Sequence, residues 1–333
     1  SMMQVMFKPH ERANVMGLFG MLGGLAASLG PIIGGLLIKA DIFGLDWRPI
    51  FLINLPVGIF AFIAGMKYLP EGKSEHPLHI DIKGTFLIIV ALSLLIFPLI
   101  QGRELGWPLW TIVMMAAAIP ALFVFGWYET RKHKRDSSAL IVPALFKVRT
   151  FISGLSLNLI VQSIMIAYFL TFTLVLQAGL HFSPIKAALT GIPTAVGMGF
   201  GFSVLGAKLI PRLGRYVIGL GVTFFSAGVV YISWIFSHYT LAAHPWQFIP
   251  GLFFTGIGMS LIMAPIFSAS LQDVDTSHAG SASGVLNAVQ QVGGAVGVAI
   301  IGVIFFSQLN HGAYKSFDDV SPNLRQDLSA LQV

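Results

Sequence analysis

The predicted fold class is all-α, a polytopic membrane protein with about nine transmembrane helices. Three observations predict it. Hydrophobic residues make up 55% of the 333 residues and charged residues only 10%, against about 25% charged in a soluble domain. The few charges are clustered, leaving stretches free of Asp, Glu, Lys and Arg at 13–38, 49–66, 84–102, 105–128, 150–185, 187–207, 216–272 and 276–314; a bilayer core about 30 Å thick needs about 20 apolar residues per helix. Finally, 36 Gly, 27 Phe and 12 Met is the composition of helices that pack through small residues and turn the rest to lipid. The same figures exclude a soluble globular domain and a disordered chain, and the absence of Cys excludes a secreted disulfide scaffold.

The run 216–272 is too long for one helix and breaks near His238, His244 and Pro245, so the spans are placed near 14–38, 48–68, 83–101, 108–128, 151–177, 186–207, 216–236, 247–270 and 283–306. An odd number of spans puts the two ends of the chain on opposite sides. With the N-terminal end cytoplasmic, 14 of the 20 Lys and Arg residues fall on the cytoplasmic side, the cluster Arg131–Arg135 among them. That excess sets the expected orientation. The net charge of +6 is then a matter of topology, and the basic cluster reads as a membrane-surface anchor rather than a nucleic-acid site.

In span 14–38 the helical wheel gathers Gly20, Gly24, Gly30, Pro31, Gly34 and Gly35 on one side and Leu and Ile on the other. A face of nearly bare backbone permits a neighbouring helix to approach closely, and Pro31 removes one intrahelical hydrogen bond. Two readings stand: tight packing alone, or a helix that bends or slides between two states.

At these residues the sequence resembles a family. Gly30-Pro31-Ile32-Ile33-Gly34-Gly35, followed by Trp47-Arg48-Pro49 and the stretch to Gly58, resembles the antiporter motif and next helix of drug:proton antiporters of the major facilitator superfamily, in its fourteen-helix EmrB/QacA-type branch. Gly280-Ser281-Ala282-Ser283-Gly284-Val285-Leu286-Asn287, continuing through Gln290, Gln291 and Gly294, resembles that branch's penultimate helix. The resemblance implies a partial major-facilitator fold, truncated at both ends. It places 1–69 as the end of an N-terminal bundle, 70–148 as two linker helices, 149–306 as five helices of the C-terminal bundle and 307–333 as an external polar tail. It also implies a bacterial inner membrane and a proton gradient, with no cofactor, as the energy source. The family's proton-coupling residues belong to leading helices without a counterpart here, so residues 1–333 alone are expected not to transport. A degenerate echo of a family loop signature stands at Ala207–Arg215, where Ala207 and Pro211 replace the expected Gly and Asp.

Polar groups inside spans are costly unless satisfied, which makes them informative. Span 151–177 sets Asn158, Gln162, Met165, Tyr168, Phe169, Phe172 and Thr173 on one side, a mixture of amide, hydroxyl, thioether and aromatic surface suited to flat or cationic hydrophobic molecules. The alternative is an interhelical hydrogen-bond pair, Asn158 and Gln162, in a structural stripe. Span 283–306 has a comparable side carrying Asn287 and Gln291, fit for a partner helix or a ligand. Asn54 precedes Pro56 and is expected to satisfy backbone freed there. Trp47 and Arg48 read as interface anchors, or as part of an outer gate.

No span carries an Asp, Glu, Lys or Arg in its central part, and no Gly-Lys-Ser/Thr phosphate loop is present. The sequence therefore points away from an enzyme and from ATP. His76, His79 and Asp81 are close in sequence, a grouping that a polar loop supplies by chance, so no metal site is expected. The expected function is proton-coupled export of hydrophobic or cationic drugs by alternating access. The alternatives are a membrane fragment or assembly partner without activity, and a passive pore, which the broad aliphatic faces disfavour. The expected partners are the lipid bilayer, the small-molecule substrate and a periplasmic adaptor protein.

Overall fold

A computed structural model of the chain describes residues 30, 33–68, 81–102, 105–136, 139–239, 243–275 and 278–318. No strand occurs among the described residues. Eight helices in them are long and apolar enough to cross a membrane: α1 Pro49–Tyr68, α2 Ile82–Gln101, α3 Leu109–Arg135, α4 Arg149–Gly179, α5 Pro184–Gly206, α6 Tyr216–Tyr239, α7 Pro245–Phe267 and α8 Ala279–Ile304. This is an all-α polytopic membrane protein. Of the expected span 14–38, Gly20, Gly24 and Pro31 lie outside the described residues, which take in Gly30 and a helical stretch over 33–40.

Helix starts follow local chemistry. Asp81 precedes α2 and accepts from the Gly84 N–H at 2.9 Å, so a side-chain oxygen satisfies one of the orphan donors of the first turn. Ser183 accepts from the Lys186 N–H at 3.3 Å and Pro184 opens α5, where a missing N–H costs nothing. The His244 N–H donates to Gln247 Oε1 at 2.8 Å at the start of α7. Two helices outrun the expected spans. The basic run Arg131–Arg135 stays helical at the end of α3, and the helix of α8 continues to Asp318, into the expected polar tail; no proline follows Pro265 until Pro322.

Packing among the five helices α4 to α8 is set by glycine. Lipid gives apolar side chains no reason to leave it, so transmembrane helices associate through close backbone approach and interhelical hydrogen bonds. A Cβ added to Gly228 of α6 would lie 2.5 Å from the Gly251 carbonyl oxygen of α7, and one on Gly258 would meet Phe225 and Gly221 backbone. Gly197 of α5 faces the Phe253 carbonyl of α7 in the same way, and Gly256 faces Thr194. On the other flank, Gly293 and Gly297 of α8 press against the Leu159 and Ser163 carbonyls of α4. The result is an α7 enclosed by α4, α5 and α6, with Phe248, Leu252 and Leu261 fully buried.

The pair α2 and α3 closes over small residues, Gly84, Ala91 and Ala118, and α2 also touches α8. A strap, 139–142, leads from α3 toward α4. Its Val142, with Leu145 just beyond, joins Phe151 of α4 and Ala282, Val285 and Leu286 of α8 in one apolar cluster. Helix α1 has no buried residue from Asn54 to Tyr68.

Candidate substrate-facing site

The site is built on α4 and α8. The predicted side of α4 divides in two. Asn158, Met165 and Phe172 are buried, at 7%, 5% and 9% exposure. Met165 packs with Met259, Ile262 and Ile266 of α7. Tyr168 lies parallel to Phe172 at 6.0 Å, meets Phe225 of α6 edge-on at 5.5 Å, and its hydroxyl is 3.4 Å from Thr255 Oγ1. Phe172 in turn meets Phe248 edge-on at 6.2 Å. These residues form an aromatic and thioether seam between α4, α6 and α7. Such geometry carries some binding strength beyond area alone, about 0.5–1.5 kcal/mol per ring pair.

Gln162, Phe169 and Thr173 fall on the other half. A helix turns about 100° per residue, so positions 162, 169 and 173 share a direction. Phe169 is 41% exposed and Thr173 is exposed. A Cβ added to Gly293 of α8 would lie 3.2 Å from Gln162 Cβ, which sets Gln162 beside α8. The Ser163 hydroxyl, one residue on, is 2.8 Å from the Leu159 carbonyl and 2.7 Å from the Gly293 carbonyl, and it ties the two helices. Sequence reasoning passed over Ser163; the signal was a hydroxyl within an apolar run, one turn after Leu159.

On α8 the positions 280, 284, 287 and 291 repeat at helical spacing, and Gly280, Gly284, Asn287 and Gln291 are all exposed. Two amides turned to hydrocarbon would be costly. The stripe therefore suits water, a ligand or another helix, and it borders the side of α4 that carries Gln162.

Nearer the start, Gly35 is buried and a Cβ there would lie 2.8 Å from Ile185 Cγ1 of α5, while one on Gly34 would lie 3.8 Å from Ile50 Cδ1 and one on Gly30 would meet nothing within 4 Å. The Asn54 amide reaches the Ile50 and Phe51 carbonyls at 3.4 and 3.3 Å. Trp47 is 51% exposed, with the Arg48 guanidinium 5.4 Å from its ring. Among the described residues no group of three or more His, Asp or Glu is placed to hold a metal.

The sequence of a probable actinorhodin transporter of Streptomyces coelicolor is 40% identical over 325 residues, covering 98% of this chain and 56% of the relative. The multidrug resistance protein Stp of Mycobacterium tuberculosis is 28% identical over 302 residues, 90% of this chain and 54% of Stp. A tetracenomycin C resistance and export protein of Streptomyces glaucescens is 29% identical over 315 residues, 92% of this chain and 55% of that protein. The chain thus spans little more than half the length of these relatives. A family profile matches residues 1–298. With that match spread over all but the end of the chain, the chain belongs to the Major Facilitator Superfamily.

Proposed function

We propose that this chain is the part of a proton-coupled exporter that closes one side of a substrate cavity, moving hydrophobic or cationic drugs outward by alternating access. The observation that carries the reading is the pair of adjoining surfaces on α4 and α8: exposed Asn287 and Gln291 beside Gln162, Phe169 and Thr173. Amides, a hydroxyl and an aromatic ring offer varied partners to varied molecules, and aromatic faces attract cations. The names of the relatives, which speak of antibiotic export and resistance, support the substrate class. Residues that those relatives carry beyond the matched region would supply the facing bundle, and two bundles rocking about a midplane site would exchange access.

In this reading the glycine side around Gly30, Gly34 and Gly35 belongs to the moving contact between halves, consistent with the close approach of Gly35 and Ile185. A fourteen-helix plan, a bacterial inner membrane, a cytoplasmic N-terminal end and an adaptor on the outer side belong to the same proposal. A membrane potential would add about 2.3 kcal/mol per charge per 100 mV to each proton-driven cycle.

The test is drug efflux from vesicles under an imposed pH gradient, with the chain joined to the segments its relatives carry. Asn287→Ala, Gln291→Ala and Gln162→Ala should each change the order of preferred compounds, by about three- to tenfold for at least one cation, with insertion unchanged. Efflux that ignores the pH gradient would remove the proton coupling. An unaltered drug profile in all three variants would return both surfaces to helix packing.

A further inference from the structure

Two acids that the transport reading does not use lie together at the foot of the α2–α3 pair. Asp81 and Glu129 are 6% and 2% exposed. Glu129 stands just beyond the apolar stretch 109–128, on the charged extension of α3. A Cβ on Gly84 would collide with both Asp81 Oδ2 and Glu129 Oε1. Both oxygens crowd that one point, so they are within about 5 Å of each other, the range at which one carboxylate opposes the ionisation of another.

The hydrogen bonds of the pair can be accounted for oxygen by oxygen. Asp81 Oδ1 accepts from the Gly84 N–H at 2.9 Å and from the Tyr128 hydroxyl at 2.9 Å. Glu129 Oε2 accepts from the Ile141 N–H at 2.9 Å. The remaining two, Asp81 Oδ2 and Glu129 Oε1, are buried with no hydrogen-bond partner. An orphaned buried acceptor is costly, and more so if charged. One added hydrogen atom between the two orphans would satisfy both.

We propose that Asp81 and Glu129 form a proton-binding site, with one proton carried on Glu129 Oε1 and donated to Asp81 Oδ2, and that this proton keeps the strap 139–142 in place. The proton comes from solvent and returns to it, and no bond other than O–H forms or breaks. The Gly84 N–H and the Tyr128 hydroxyl both donate to Asp81, which makes it the acceptor of the pair and leaves the proton to Glu129. Burial pushes the Glu129 carboxyl above its ordinary range, and the neighbouring Asp81 adds to this against the opposing Ile141 N–H.

The consequence reaches α8 through the strap. Glu129 holds Ile141, and on either side of Ile141 the Ser281 hydroxyl donates to the Leu140 carbonyl at 3.0 Å and accepts from the Val142 N–H at 3.1 Å. When the proton leaves, two buried negative charges repel, and Glu129 moves away from Asp81 carrying with it the strap residue Ile141 that it holds. Of the groups around the pair, α3 brings Tyr128, Lys132 and His133 and α2 brings Lys83. The strap and residues 279–291 of α8 carry no charged side chain.

The test needs no transport, so its failure and that of the export reading are separate results. In the purified chain, infrared spectra should show a protonated carboxyl band that persists above the ordinary carboxylate range, fades as pH rises further, and is missing above that ordinary range in Glu129→Gln. Because the native pair holds a proton that the unfolded chain releases, stability is full below the ordinary carboxylate range and declines as pH rises through the native titration. The melting temperature should therefore fall by about 3–5 °C as pH rises from the ordinary carboxylate range through the native titration. Glu129→Gln, whose amide can donate to Asp81 in place of the proton, should melt like the parent at the lower pH and stay flat. Tyr128→Phe removes a donor to the Asp81 anion and should move the band's titration upward. His133→Gln should keep the slope. Absence of the band in the parent, an equal slope in Glu129→Gln, loss of the slope in His133→Gln alone, or stabilisation by sodium or calcium that needs Glu129 would each overturn the proton site.

Discussion

Gly219 and Gly258 show how the same residue type does opposite things in α6 and α7. At Gly219 a Cβ would meet nothing within 4 Å, whereas at Gly258 it would meet the Gly221 carbonyl oxygen and Phe225 Cα, each at 2.7 Å. Backbone cannot step aside as a side-chain end can, so Gly258→Ala must part α6 from α7. We expect it to cost about 1–3 kcal/mol, while Gly219→Ala should be neutral or stabilise slightly, because alanine loses less backbone freedom in a helix. Thermal unfolding of the two variants side by side in detergent checks this, and equal melting points would refute it. Ser163→Ala should lose about 0.6 kcal/mol, the usual scale of an interhelical hydrogen bond in a membrane, measured in the same way. None of these roles could be assigned from the sequence. A glycine at 219 and one at 258 look alike until the neighbouring helix is in place.

At the level of elements, agreement between expected and observed helices is close for α1 to α8, since span length is set by bilayer thickness and charge marks the ends. The stripe of α4 was legible only as one broad side. Docking α7 against Met165 and Phe172 and α8 against Gln162 split it, because a helix pressed by neighbours from two directions divides its surface between them. The crossing of 33–40 with α5 gives a second test. Gly35→Leu should clash with Ile185 and destabilise by about 1–3 kcal/mol. Adding Ile185→Ala should recover most of that loss, and the double-mutant cycle should show a coupling of about 1 kcal/mol or more. Additive effects would mean that the two residues do not meet.

For the whole molecule, the absence of Cys makes the threading directly measurable, as each introduced thiol is the only one. With α2 and α3 crossing as a pair, Lys83→Cys and Lys134→Cys should react with an impermeant reagent from the same side, and Lys186→Cys, one span further on, from the other. Lys83 and Lys134 on opposite sides would break the order of spans on which the orientation rests. Membership in the superfamily was readable from short motifs at 30–35 and 280–294. The Asp81–Glu129 pair was not readable: the two residues stand 48 positions apart, and Asp81 is close in sequence to His76 and His79, a grouping that a polar loop supplies by chance. By itself the sequence determined how many times the described chain can cross a bilayer and which residues would be costly there, since transfer into hydrocarbon depends on local composition. Only the tertiary structure decided which glycines are crossings, which half of α4 stays open and which two carboxyls meet, because those depend on distances between helices that no local pattern contains.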